Sequence, residues 1–495
     1  MGAGVLRAQQ RCTLHVSFFA SIHIFLFCTV RHTQLGYLSL LALLSDWVCF
    51  SVAAAPETWE AAYSRDPATL IDIFLFTNVL FCFLEPMIVR RAGLRATVIG
   101  AATAMAAGCA LRSGLPTSIG LQPYNAVVAG TVLVGAAQPM FQCTPPLLSA
   151  TWFGADERAL ATAVAINFNQ VGIATAFLVG GTMATSQAGL GSYFNLITIF
   201  AAVLAAGTAF QFRERPPTPP TGSAAARLAE QEAGTQNDEN FLVVARQLLR
   251  TPGFLPPLCA FVASIGISNV VSAFVDESLK GSGFTNQATI DLVGAGFQAA
   301  IVAGGIFLGG YVDRTKEYKQ TTLFCLAASF VLLLPFGLDA SPHWVIIPAL
   351  LALGALVGPV QPINAELAVE VAYPADENSI EALQQLCGNL FSALLVPVAE
   401  RAADVDLFAG TAEGIHGDTV LLGFIALGAL GFFNTFDAEL KRSELDCASD
   451  PNSVSACDVV FETVPEGQEP AVGSTLAELL AAPQTTNAPP PPPPP

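Results

Sequence analysis

The stretch from Thr151 to Gly181, TWFGADERALATAVAINFNQVGIATAFLVGG, decides how this chain folds. It opens on an aromatic and glycine turn, followed by Asp156, Glu157 and Arg158. Carboxylates there suit the positive N-terminal end of a helix and can cap its start. Roughly twenty small and apolar residues follow, the length needed to cross the hydrocarbon core of a bilayer. Near their middle stand Asn167, Asn169 and Gln170. Asn167 and Gln170 share one helix face with Ala163, Ala174 and Phe177. Amides at that depth need partners or water, so this face either lines a cavity or bonds to a neighbouring helix.

The rest of the chain has the composition such a helix requires. Of 495 residues, 53% are hydrophobic and only 12% charged, with a mean hydropathy of +0.55, which points to a polytopic membrane protein. The net charge of −18 is unevenly spread, because beyond Arg442 there are acidic residues and no Lys or Arg. Most of the 11 cysteines lie within apolar segments, with Cys447 and Cys457 in the polar tail. Their spacing suits neither a zinc site nor a disulfide framework, and they read as small packing residues.

Taken in order, the chain begins with residues 1–34, whose apolar segment 12–30 reads as a signal-like region, an extra span or neither. Spans are expected at about 35–55, 68–89, 96–113, 124–149, 151–181 and 193–212, a first half covering residues 35–212. Residues 213–252, opening RERPPTPPTGS, form a linker in which FLVVARQLLR (241–250) is amphipathic and suited to a membrane surface. A second half, 253–442, carries spans at about 254–279, 288–311, 321–338, 344–365, 378–399 and 418–436. In the eighth span Gly305 and Gly309 share a face and allow close helix contact. Residues 443–495, acidic and ending in the proline run Pro489–Pro495, read as a disordered tail. The fold class is therefore an all-α membrane protein of twelve transmembrane helices in two six-helix pseudo-repeats.

An internal repeat supports the division. LVGAAQP (133–139) recurs as LVGPVQP (356–362), and the same offset carries Val89 onto Val312 and Arg91 onto Arg314. Parallel halves of this kind enclose a central cavity and rock about it. The repeat places Trp47 opposite Asn269 and Val270. A second offset, anchored by Asp156-Glu157 and Asp376-Glu377, places Asn169 opposite Asn389.

Charge gives the expected orientation. Of 21 Lys and Arg, only Arg65, Arg112, Lys280 and Arg401 fall on the outer side if both ends of the twelve-helix body are cytoplasmic. On the cytoplasmic side Asp313 and Arg314 leave span eight, and Glu366 and Glu370 leave span ten. These four are candidate gating residues; the other reading of Asp313 and Arg314 is topological.

Several stretches resemble a known family: GLRATVIGAATAMAAGCALR, WFGADERALATA with NQVGIATAFLV, RERPPTPPT, YVDRTKEYKQTTL and ELAVEVAYPADE. They are similar to the major facilitator superfamily and, more narrowly, to the feline leukaemia virus subgroup C receptor-related transporters. The resemblance runs from about residue 35 to 437 and implies a twelve-span carrier of choline and ethanolamine or, by an older attribution, of heme. It implies that Trp47 is the cavity tryptophan of span one and Gln170 the glutamine of span five. Two positions depart from the choline-handling pattern: Asn269 stands for a span-seven tyrosine and Asn389 for a span-eleven glutamine. Quaternary ammonium groups are held by aromatic faces worth roughly 0.5 to 2 kcal/mol each, so the loss of one bears directly on choline.

Candidate substrate-binding residues are thus Trp47, Gln170, Asn269 and Asn389. Asp46, an ionisable group inside a span, suits a cation or a coupling proton, or a hydrogen bond between helices. The chain shows no metal-ligand cluster, nucleotide-binding loop or nucleophile motif, so neither an enzyme nor a cofactor, metal or nucleic-acid partner is expected. The 5 histidines lie near the N-terminus or at outer span ends, away from the proposed cavity, which weighs against heme ligation there. The sequence reading is a plasma-membrane carrier moving a small amine by alternating access. The alternatives are a heme carrier and a non-transporting receptor whose proline run recruits a partner with an aromatic groove.

Overall fold

The computed structural model describes residues 30–52, 56–65, 68–116, 121–232, 241–337, 342–403, 405–407 and 415–444. The apolar segment before Val30 and the proline-ended tail lie outside those residues. Among the described residues, ten helices are long and apolar enough to cross a membrane, and two shorter apolar helices, Thr69–Cys82 and Gly417–Phe433, complete twelve.

The first half begins with α1 (Val30–Phe50) and the short α2 (Pro56–Tyr63). Then come α3 (Ala68–Cys82), α4 (Glu85–Ala92) and α5 (Leu94–Ser113). The second crossing is broken within the expected 68–89 span, because Pro86 has no N–H to continue the α3 ladder. Gly93, at φ 81°, then turns the chain into α5. The fourth crossing is α6 (Tyr124–Ala137), α7 (Pro139–Gln142) and α8 (Pro145–Trp152), interrupted wherever a proline removes a donor. Next come α9 (Arg158–Met183) and α10 (Gln187–Gln211). The linker carries α11 (Gly222–Glu232) and α12 (Phe241–Leu248).

The second half is α13 (Leu255–Gly281), α14 (Gln287–Thr315), α15 (Tyr318–Gly337), α16 (His343–Val357), α17 (Val360–Ala372), α18 (Glu377–Ala403) and α19 (Gly417–Phe433). Two short strands, β1 (Asp406–Leu407) and β2 (Ile415–His416), pair antiparallel between the last two helices. The recurring LVG..QP sequence interrupts a helix in both copies, between α6 and α7 and between α16 and α17.

Apolar burial follows the halves. The largest core cluster draws only on residues between Leu35 and Phe212, and another only on residues between Ile267 and Ala426. Two clusters bridge them: Cys82 and Cys143 pack with Phe254, Ile380 and Leu383, and Ile166 packs with Phe261, Ile265 and Ala365. The linker helix α12 buries Phe241, Ala245 and Leu248 in the first of these bridges, so its apolar face lies on protein.

Glycine sets the closest approaches. A Cβ on Gly305 would lie 2.0 Å from Asn167 Nδ2 and one on Gly309 3.1 Å from Ala163 Cβ, which lets α14 lie directly on α9 of the other half. Within the second half, a Cβ on Gly304 would lie 2.0 Å from the Ala355 carbonyl oxygen, whereas at Gly310 the nearest atom is Leu160 Cδ1 at 3.9 Å. Gly304→Ala is therefore expected to cost about 1–3 kcal/mol through overpacking. Gly310→Ala should be neutral or stabilising by up to about 1 kcal/mol through helix propensity. Thermal unfolding of the two purified variants checks the contrast; equal midpoints would remove the close-approach argument.

Candidate functional site

A chain of side-chain amides crosses the middle of the bundle. It starts at Asp46 on α1, buried at 8% exposure, whose Oδ1 accepts from Gln138 Nε2 at 2.7 Å. Gln138 Oε1 in turn accepts from Asn78 Nδ2 on α3 at 2.6 Å. Asn78 Oδ1 then accepts from Asn389 Nδ2 on α18 of the other half at 3.2 Å. Gln138 holds this place because the helix breaks there: its amide lies between the end of α6 and Pro139, facing both α1 and α3. Each member relieves the desolvation of the next, which is what polar groups in a membrane interior require.

The four candidate binding residues are distributed around this chain. Asn389 belongs to it. Trp47 is buried, donates from Nε1 to the Tyr193 hydroxyl at 2.8 Å, and packs against Tyr193 and Phe200 within its own half. Asn269 donates to Ser392 Oγ at 2.8 Å within the second half. Gln170 is half-buried and makes no hydrogen bond among the described residues. Among the described residues, no hydrogen bond joins the four.

At the end of the bundle that carries the linker, polar contacts join the two halves. Asp313, at the end of α14, accepts the backbone N–H groups of Ala159 and Leu160 at 2.9 and 2.7 Å. These N–H groups lie in the first turn of α9 and have no partner within the helix. The carboxylate meets both the free donors and the positive end of the helix dipole. The local cluster thought to cap α9 is occupied elsewhere: Asp156 is exposed, Glu157 pairs with Arg31, and Arg158 donates to Thr221 and Ser223 of the linker. In the second half the equivalent helix is capped locally, since Asp376 accepts from Ser379 N and Oγ at 2.9 and 2.7 Å. Burial raises the Asp376 carboxyl above its usual range, with Glu377 adding to the rise and the Ser379 bonds opposing it.

The remaining gate candidates take distinct positions. Glu366, 1% exposed, accepts from Ser149 Oγ at 3.1 Å and from Thr162 Oγ1, both in the first half. Its other oxygen lies 3.5 Å from Nη1 of Arg442, a fully buried residue just beyond α19. Glu370 accepts from Ser443 N at 2.9 Å. Arg314 is exposed and makes no ion pair among the described residues; the neighbouring cation that crosses between halves is Lys316, whose Nζ donates to the Ala155 carbonyl at 2.7 Å. The linker adds Arg227, which donates to Thr151 Oγ1 at 2.6 Å and to Glu377 Oε2 at 2.9 Å.

Sequence reasoning passed over Asn78, Gln138, Lys316 and Arg442. Gln138 had a signal, since it sits in the repeated LVG..QP motif. Arg442 had none, because its burial depends on the chain folding back after α19. Arg112 is no topological charge either: it is buried, donating to Val48 O at 3.0 Å and Ser51 Oγ at 2.7 Å with Phe194 beside it.

Among the described residues, twelve apolar helices in two halves, each with its own apolar core and joined by a buried polar chain, have the architecture of a membrane carrier. The pattern of the Major Facilitator Superfamily matches residues 36–396, and the chain belongs to that superfamily. It is 26% identical over 367 residues to the choline/ethanolamine transporter flvcr2a of Danio rerio, covering 72% of this chain and 75% of that protein. It is also 26% identical over 449 residues to solute carrier family 49 member A3 of Danio rerio, covering 86% and 92%. Among solved structures it is similar to a double-tryptophan mutant of XylE (TM-score 0.65, 14% identity, covering 85% of this chain and 99% of that one). The Escherichia coli fucose:proton symporter FucP also matches (TM-score 0.58, 12% identity, covering 82% and 99%). These two likenesses bear on the fold alone.

Removing the Asp313 carboxylate should loosen the closed end. In Asp313→Ala, a cysteine introduced at the fully buried Ala163 is expected to react at least tenfold faster with an impermeant maleimide, a factor of about 1.4 kcal/mol in opening. Unchanged labelling would show that the helix-terminus contact does not hold the halves together.

Proposed function

We propose that this protein carries a small amine of the choline or ethanolamine kind across the plasma membrane by alternating access. The two halves rock about the amide chain, and the linker end, facing the cytoplasm, opens when Asp313, Glu366 and Lys316 part from the first half, with Glu370 and Arg314 beside them. The observation that carries this reading is that each half keeps its own apolar core, while two smaller apolar clusters and polar contacts a few ångströms long, including Asp313 on α9, join the halves. Contacts of that kind can be exchanged for water without unfolding either half.

The substrate class is supported by the relative named as a choline/ethanolamine transporter. Trp47 offers an aromatic face on rotation away from Tyr193, Gln170 and Asn389 offer amide oxygens, and Asn269 tunes selectivity where an aromatic wall is absent. A cationic substrate gains about 2.3 kcal/mol per 100 mV from the membrane potential, which suffices to drive net movement. The excess of Lys and Arg at the linker end supports its cytoplasmic placement. The proline run Pro489–Pro495 would engage a partner through an aromatic groove.

Uptake of radiolabelled choline and ethanolamine into proteoliposomes tests the reading. Saturable flux is expected, reduced at least tenfold by Gln170→Ala and by Asn389→Ala in folded protein. Absence of flux of either amine would remove this substrate class, and full flux in both variants would move the site elsewhere.

A further inference from the structure

The cation that meets Glu366 does not belong to a span. After α19 the chain runs without regular structure through residues 436–440 and forms one helical turn at 441–444. Phe436 is buried and stacks on Phe433, and its carbonyl accepts from Lys319 Nζ. Ala438 lies against Gly253 at the start of the second half. The turn then lies at the surface, with Lys441 and Glu444 exposed, and puts only Arg442 and Ser443 inside.

Those two residues reach an acidic socket. Arg442 Nη1 lies 3.5 Å from Glu366 Oε2, and the Ser443 N–H donates to Glu370 Oε2 at 2.9 Å. Glu377, at the start of α18, is within reach of the Arg442 charge and pairs with Arg227 of the linker. The three carboxylates are 1%, 3% and 7% exposed, so water does little to screen one from another. Glu366 is also the group that accepts from Ser149 and Thr162 of the first half. With Arg442 seated, Glu366 can stay buried against those hydroxyls. Once Arg442 leaves, a buried carboxylate has lost its counter-charge, and water entering between the halves is the relief open to it.

We propose that residues 436–444 form a latch: Arg442, seated among Glu366, Glu370 and Glu377, keeps the linker end closed, and the segment withdraws before the halves part there. The insertion is shallow, so it reverses without moving any span. The sequence that follows favours withdrawal, because beyond Arg442 it carries acidic residues and no Lys or Arg. The first of these, Glu444, already lies within reach of the Glu370 charge, which repels it. The latch's part in gating rests on the carrier reading; the seating of Arg442 does not.

The test uses full-length protein with single cysteines introduced at Ser443, at Ala163 between the halves, or at Ala176 inside the first-half core, all buried. Reaction of each with an impermeant maleimide is read site by site by mass spectrometry. Choline or ethanolamine is expected to speed labelling at both 443 and 163. Without amine, Arg442→Gln should speed labelling at 163 about tenfold, whereas Arg442→Lys, which keeps the charge, should stay within about threefold of the parent. Position 176 should remain slow throughout. Unchanged labelling at 163 in Arg442→Gln would overturn the latch, and so would an equal rise at 176, which would make Arg442 a residue of general stability. Amine that speeds 163 but leaves 443 protected would also overturn it, while leaving the carrier reading intact. Amine that speeds neither site would remove the carrier reading, and a faster 163 in Arg442→Gln would still uphold the latch.

Discussion

The carboxylate of Asp313, at the end of α14, rests on the first turn of α9 in the opposite half, and the proposed closure of the linker end turns on that contact. The free N–H groups of a helix start have to be satisfied when they are buried. In the second half a local aspartate does this for α18; in the first half the donors are left for a partner across the interface. A charged hydrogen bond is worth roughly 1.5–3 kcal/mol. On the proposed reading this contact, the Lys316 bond and those of Glu366 hold the end shut, and each can be replaced by water when the halves part. Apolar bridging between the halves is confined to two smaller clusters, around Phe254 and around Ile166.

A second constraint acts at mid-depth. Lipid offers no partners to amides or carboxylates, so Asp46, Gln138, Asn78 and Asn389 satisfy one another. Individually such bonds contribute only about 0.6 to 2 kcal/mol in membranes. Their distinction is connectivity: the chain begins deep in the first half and ends on α18 of the other. Close packing at Gly305 and Gly309 sets how near α14 comes to α9.

Much of the fold was legible in the sequence because the signals were local and periodic. Apolar runs of bilayer length gave the spans, the repeated LVG..QP motif gave the pairing of halves, and the glycine pair on α14 announced a close helix contact. The site was legible only in part. Asp313, Glu366 and Glu370 could be placed at one end of the bundle from their span boundaries, but their partners are backbone amides, hydroxyls and a returning C-terminal segment, none of which a spacing argument reaches. Asp156 and Glu157 looked like the cap of α9 because capping is normally local; tertiary contacts with Arg31 and Asp313 overrode that. Asn78, a lone amide in the apolar run of α3, acquires meaning only when Gln138 and Asn389 are brought beside it.

On the proposed reading the linker end closes and opens as one unit. Spin labels at the exposed positions Asp156 and Arg314, on opposite halves beside the Asp313 contact, report it directly through their distance distribution by pulsed electron resonance. The account predicts a single short distance without substrate and a second, longer population when choline or ethanolamine is added, with the longer one dominant in Asp313→Ala. A distribution that stays short in all three conditions would contradict it.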